Sequence, residues 1–245
     1  MILILGAMEG EITAFRHALE NGEDRDPQVL KSRAGSELII GELEGVPVAL
    51  ARAGVGKAMS ALSAQSMIEV LERRGYEIRA ILFTGLAGAL NPQYEIGDTV
   101  FSLDCVQHDL DAVSLGIPRG TVPYTGYRFL VADPRLLAAA ETYHPGEGTV
   151  RFGRILTGDQ FINRRDDPTL AYLREELAGD AAEMEGAAVA LCAAVNRIPF
   201  LLIRTISDRA DGSAAVNFTQ FLPVASENSL RAVCGILTAL SAELR

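Results

Sequence analysis

Three short runs of unbroken apolar residues constrain this chain more than any other feature: "ILIL" at 2–5, "AILF" at 80–83 and "FLLI" at 200–203. A strand that is apolar at every position must be buried on both faces, as in a parallel sheet covered by helices. Between the runs lie stretches whose apolar residues recur every third or fourth position. "EGEITAFRHAL" follows the first run, "KAMSALSAQSMIEVLERRG" precedes the second and stops at Gly75, and a long stretch from about 222 follows the third. Strands alternating with helices define an α/β fold.

"SELIIGELEG" and "VPVALARAG" read as two strands around a Glu-Gly turn, so the sheet is mixed. "GDTVFSLDCVQ" and residues near 150–157 add strands, and residues near 134–143 add a helix. "LAGALNP" reads as a turn, and "NGEDRDPQ" at 21–28 as a surface loop. The connection "HDLDAVSLGIPRGTVPYTG" is long enough to suggest a functional loop. No repeat, low-complexity tract or linker divides the chain. The expected architecture is a single domain over 1–245, a mixed sheet flanked by helices.

Composition removes several functions. With 245 residues, 49% of them hydrophobic, the chain is long enough to bury a sizeable core. Its net charge of −10 opposes nucleic acid, whose affinity comes from Lys and Arg at phosphates. "MILIL" is too short to span a bilayer and lacks a basic leader, so no membrane role is expected. Cys105, Cys192 and Cys234 are widely spaced, which suits reduced thiols in a cytoplasmic protein. No Cys or His pair has zinc-ligand spacing, so no metal is expected.

In open α/β sheets, ligands bind beyond the carboxyl ends of the parallel strands. "GAMEGE" follows the first apolar run, "LAGA" the second and "DRADG" the third, so one acidic, Gly-rich rim is expected. Its candidates are Glu9, Glu11, Glu183, Glu185 and Asp208, with Arg209 as the nearest base. "GDAAEMEGAAVALCAAV" at 179–195 reads as a buried strand entering a buried helix, yet it carries Glu183 and Glu185. A buried carboxylate requires a partner or a shifted pKa, and no cation flanks these two. Clustered acids suit a neutral polyol, a cation, or a transition state that becomes positive. Glycosidic cleavage has such a state and uses one acid and one base. Each residue also has a plainer role: Glu9 and Glu11 suit a helix N-terminus, Asp208 an N-cap, and Met184 and Phe161 a core. His108 suits either a base or a structural hydrogen bond.

Taken together, "ILGAMEGEI", "AGVGKAMSA", "TGLAGAL", "GDQFINR", "AAEMEGAAVA", "RTISDRAD" and "NFTQFL" resemble, in order, the 5′-methylthioadenosine/S-adenosylhomocysteine nucleosidases of the nucleoside phosphorylase superfamily. The resemblance implies a nucleoside phosphorylase-like fold and hydrolysis that releases adenine, with no cofactor. It makes Glu11 the base that activates water at the anomeric carbon and Asp208 the acid at purine N7, oriented by Ser207. It gives Glu185 the ribose hydroxyls, with Met184 beneath the sugar and Glu183 beside it. Phe161 stacks on the purine and Ile162 offers backbone groups to its edge. Ala7, Met8, Val55, Gly88 and Phe218 match further pocket positions. It also implies a homodimer in which the partner's loop, around Leu115, Ile117 and Pro123, closes the 5′ pocket.

Two departures stand out. Many members have Ser at the position of Leu86, and aromatic residues at those of Leu115 and Ile117. Three rival readings remain: a phosphorylase of the same superfamily, a hydrolase of a futalosine-type nucleoside, and a nucleoside-binding protein without turnover. A phosphorylase needs cations beside the anomeric carbon, and "AMEGE" supplies none.

Overall fold

All three apolar runs become neighbouring parallel strands. The computed structural model describes residues 1–21, 27–33, 35–210 and 214–243, with backbone alone at 214–220 and 242–243. In chain order the first half comprises β1 (Ile2–Gly6), α1 (Glu9–Glu20), β2 (Gln28–Lys31), β3 (Glu37–Leu43), β4 (Val46–Arg52), α2 (Lys57–Arg73), β5 (Ala80–Ala89) and β6 (Thr99–Gln107). The second half comprises β7 (Leu130–Val131), α3 (Pro134–Glu141), β8 (Val150–Thr157), α4 (Tyr172–Glu175), β9 (Ala181–Glu183), α5 (Gly186–Val195), β10 (Phe200–Asp208) and α6 (Ala214–Glu243).

β5 is the spine of the sheet. On one edge it pairs in parallel with β10 from Ile81 to Gly88. On the other it pairs with β1 from Ala80 to Thr84, and again with β9 at Gly88 and Ala89. β10, β6, β8, β9 and β5 pair in turn and close on themselves, while β1, β4, β3 and β2 continue as open sheet. The sheet is mixed and helix-flanked, as the strand pattern implies. The five-strand closure is an addition that no local pattern encodes.

Alternation along the strands sends side chains to two cores. Leu3, Leu5, Ala49 and Phe83 meet Met67 and Ile68 of α2 and Val189 and Ala190 of α5. Ile2, Ile4, Leu50 and Leu82 meet Ile12 and Phe15 of α1, Leu136 of α3 and Val233 and Ile236 of α6. The β3–β4 hairpin turns at Glu44 (φ 51°) and Gly45 (φ 73°), the paired left-handed residues of a type I′ turn.

Three boundaries differ from the sequence reading. "LAGALNP" is strand as far as Ala89, because β10 pairs with Leu86, Ala87 and Gly88. α6 begins at Ala214 rather than near 222, and it carries Pro223 inside it. A proline suits a first helical turn, which misplaces the start when only the pattern is read. In the loop expected at 21–28, residues 22–26 lie outside the described residues, and Gln28 already belongs to β2. Among the described residues no helix is long and apolar enough to cross a membrane. The three cysteines form no disulfide.

Candidate active site

One pocket sits beyond the carboxyl ends of β1, β5 and β10. Ala7, Met8, Glu11, Val55, Gly88, Phe161, Ile162, Glu183, Met184, Glu185, Ser207 and Asp208 all line it, as do Leu86 and Gln160. Twelve of the thirteen residues expected at the site therefore converge. Phe218 falls on α6, where its side chain lies outside the described residues. Leu115, Ile117 and Pro123 are not among the lining residues, and Leu115 is 70% exposed.

Glu11 owes its position to a gap in the sheet. β1 leaves β5 at Thr84, β9 joins it at Gly88, and the ladder on that edge is empty between them. The Glu11 carboxylate enters the gap and accepts the Leu86 N–H at 3.1 Å. Its other oxygen accepts the N–H groups of Ala7 (2.7 Å) and Met8 (2.9 Å) at the start of α1. Gly85 makes the approach possible, since a Cβ there would lie 2.6 Å from Glu11 Oε1. The helix-terminus role and the pocket role are thus served by the same bonds. Burial pushes the Glu11 pKa up, while Arg204 and the three N–H donors pull it down. Glu9 stays outside the pocket, half-exposed and paired with Arg16 at 2.9 Å.

Asp208 ends β10. Ser207 Oγ donates to its Oδ2 at 2.7 Å, and the Ala210 N–H donates to Oδ1 at 2.9 Å. The carboxyl lies against Gly88, where a Cβ would approach Oδ1 to 3.0 Å.

The two glutamates of the buried strand and helix divide their work. Glu183 is fully engaged inside the protein. It accepts the Gly186 N–H (2.7 Å) and the Glu185 N–H (3.1 Å) at the start of α5, the Thr157 hydroxyl, and Arg204 Nη2 at 2.7 Å. Although it lines the pocket, its oxygens are spent on the scaffold. Arg204 is the cation the sequence reading missed, having named Arg209. It is 1% exposed, donates to the Phe83 and Ile203 carbonyls, and stacks on the Phe83 ring at 4.3 Å. An arginine inside the otherwise apolar "PFLLIRTIS" was the available clue. Arg209 instead pairs with Glu95 at the surface.

Glu185 opens α5, and among the described residues its side chain has one donor, the Gly56 N–H at 2.8 Å. Burial, then the Glu183 charge, pushes its pKa up to about 8 from 4.5, against Gly56 and Arg204. Between those values the folded chain keeps a proton that the unfolded chain has lost. Stability therefore falls as pH rises through that window. Between about pH 5 and about pH 9, the melting temperature of the wild type should fall by roughly 5 °C more than that of Glu185→Gln. Equal slopes in thermal unfolding would show that Glu185 is not the group that titrates.

His108 is buried and bonds Tyr172 through Nδ1 at 3.0 Å, the structural role rather than a base in the pocket. Among the described residues no cluster of His, Cys, Asp and Glu is placed to hold a metal ion.

The Phosphorylase superfamily profile matches residues 1–238, and the chain belongs to that superfamily. Within it the chain is similar to nucleosidases, as its motifs suggested. It is 36% identical over 222 residues to an aminodeoxyfutalosine nucleosidase of Campylobacter jejuni, covering 90% of this chain and 91% of the relative. It is 34% identical to a 5′-methylthioadenosine/S-adenosylhomocysteine nucleosidase of Pseudoalteromonas translucida, covering 98% and 97%. Among solved structures, the latter enzyme from Neisseria meningitidis, in complex with methylthio-immucillin-A, superposes with a TM-score of 0.84 at 30% identity over 97% and 98% of the two chains. A futalosine hydrolase of Helicobacter pylori gives a TM-score of 0.85 at 29% identity over 96% of this chain and 96% of its own.

Proposed function

We propose that this chain hydrolyses the N-glycosidic bond of 5′-methylthioadenosine and S-adenosylhomocysteine, and of 5′-deoxyadenosine, releasing adenine and the 5′-substituted ribose. The observation that carries the reading is the charge of the pocket. Its described lining holds Glu11, Glu183, Glu185 and Asp208 and no Lys or Arg. An oxocarbenium-like sugar is favoured beside such walls, whereas inorganic phosphate would find no Lys or Arg among the described lining residues.

In this reading a water attacks C1′ and gives a proton to Glu11, while Asp208 gives a proton to N7 and the C1′–N9 electron pair leaves with neutral adenine. Burial raises the pKa of Glu11, which makes its ionised form a stronger base toward the attacking water. Glu185, once ionised, has the capacity to accept both vicinal ribose hydroxyls, with Met184 beneath the sugar. Phe161, 53% exposed, lines the pocket with a ring that suits stacking on the purine. No metal or organic cofactor takes part. Met59, Leu62, Val195 and Leu115 are large apolar side chains left in water, and they suit a homodimer whose partner loop closes the 5′ end. The three unpaired thiols suit a cytoplasmic protein.

A second reading takes a futalosine-type nucleoside at the same site, favoured by the similarity to the Campylobacter jejuni nucleosidase. One assay separates the readings: adenine released from the three adenosine derivatives and from aminodeoxyfutalosine, with and without phosphate. Release without phosphate from the 5′-thio compounds is expected. A strict phosphate requirement would make the chain a phosphorylase, and turnover of aminodeoxyfutalosine alone would favour the second reading.

A further inference from the structure

Two turns that border the pocket, and the long connection after β6, are tied together at one lysine. Lys57 is the first residue of α2, and its own N–H donates to Asp159 Oδ1 at 2.8 Å. Its ammonium reaches Asp109 Oδ1 at 2.5 Å and lies 3.8 Å from Asp159 Oδ2. The Asp159 N–H donates to Asp109 Oδ2 at 2.9 Å and closes the ring. Two of the corners stand beside pocket groups. Gly56, one residue before Lys57, holds Glu185; Asp159 immediately precedes Gln160 and Phe161; Asp109 opens the long connection after β6.

Neither member of the central pair is a loose surface charge. The Lys57 and Asp109 side chains are 17% and 16% exposed, so solvent screens their attraction less than it would at the surface. Gly56 lies close to Asp159, whose Oδ1 would stand 3.1 Å from a Cβ at that position, and the same oxygen holds the next N–H along the chain, that of Lys57. Asp159 therefore holds the backbone one residue from the N–H on which Glu185 rests.

We propose that Lys57, acting through Asp109 and Asp159, is a positioning residue that clamps the start of α2 and the Phe161 turn in the arrangement where Glu185 and Phe161 meet the nucleoside. This deepens the nucleosidase reading and rests on it. The clamp serves binding more than chemistry. Glu11 and Asp208 stand on α1 and β10, and none of their bonds passes through Lys57.

The test uses the full chain and adenine release from 5′-methylthioadenosine. Lys57→Met should raise KM roughly tenfold with kcat within about threefold. Asp109→Asn should move in the same direction. The double variant should add no more than about twofold to the worse single change, because both break one link. Lys57→Arg, whose guanidinium also holds carboxylates, should recover most of the affinity. Unchanged KM in both single variants overturns the proposal, and so does a fall in kcat at constant KM. Should Lys57→Met fail to fold, Asp109→Asn carries the test with its shape kept; if that variant also fails to fold, the pair is structural and the proposal falls. A wild type that releases no adenine sinks the nucleosidase reading instead. Equilibrium binding of 5′-methylthioadenosine to the wild type and both variants then reads the clamp: weaker binding by the variants supports it, and equal binding or none at all overturns it.

Discussion

Replacing Asp208 with Asn is expected to cut adenine release by roughly 10³-fold and to leave nucleoside affinity within about threefold. Expulsion of adenine as an anion is the costly part of the uncatalysed reaction, and an amide has no proton to give at that moment. The fold should tolerate the change. The amide oxygen still accepts the Ala210 N–H, and the amide nitrogen can donate to Ser207 Oγ, which already lies 3.4 Å from the Ala87 carbonyl as its alternative acceptor. Single-turnover adenine release and a binding isotherm measured on the same preparation check both halves. A variant that keeps more than about a tenth of wild-type turnover removes Asp208 from the acid role.

What could be read from the chain before its structure was local. Buried parallel strands show themselves as apolar runs, and a pocket at their carboxyl ends follows from the geometry of such sheets. That logic brought Glu11 and Asp208 to one rim from positions 197 residues apart (208 − 11) in the chain. Contacts set by strand pairing were harder to see. Arg204 lies 21 residues from Glu183 in sequence, and it reaches it only because β10 and β9 belong to the same closed ring of strands. An apolar strand containing one arginine gives no sign of which carboxylate it will meet. For the same reason the residues by themselves did not separate Glu183 from Glu185, and only the family resemblance gave them different roles. Arg204 and the start of α5 occupy the first, leaving the second to face the pocket with a single N–H donor from Gly56. The gap at Leu86 was equally invisible, because it depends on where β1 ends and β9 begins.

That gap underlies the second large effect. Glu11→Gln is expected to lower turnover by roughly 10²–10⁴-fold while the variant still binds 5′-methylthioadenosine. The carboxylate has two oxygens for three inward-facing N–H groups, one shared by Ala7 and Met8 and one for Leu86. Glutamine has a single oxygen, so its amide nitrogen must oppose either the Leu86 N–H or the Ala7–Met8 pair. An unmet buried donor costs about 1–3 kcal/mol, which the loss of a buried charge partly offsets. The variant should therefore fold and bind but be unable to take a proton from water. The pH profile gives an independent check. Burial holds the Glu11 pKa above 4.5, and only the ionised form is a base, so wild-type kcat/KM should fall as pH drops through that raised value. The residual activity of Glu11→Gln should lack this acid limb. If the variant turns over at near-normal rate, or keeps the limb unchanged, the proton goes elsewhere and Glu11 is only the cap of its helix.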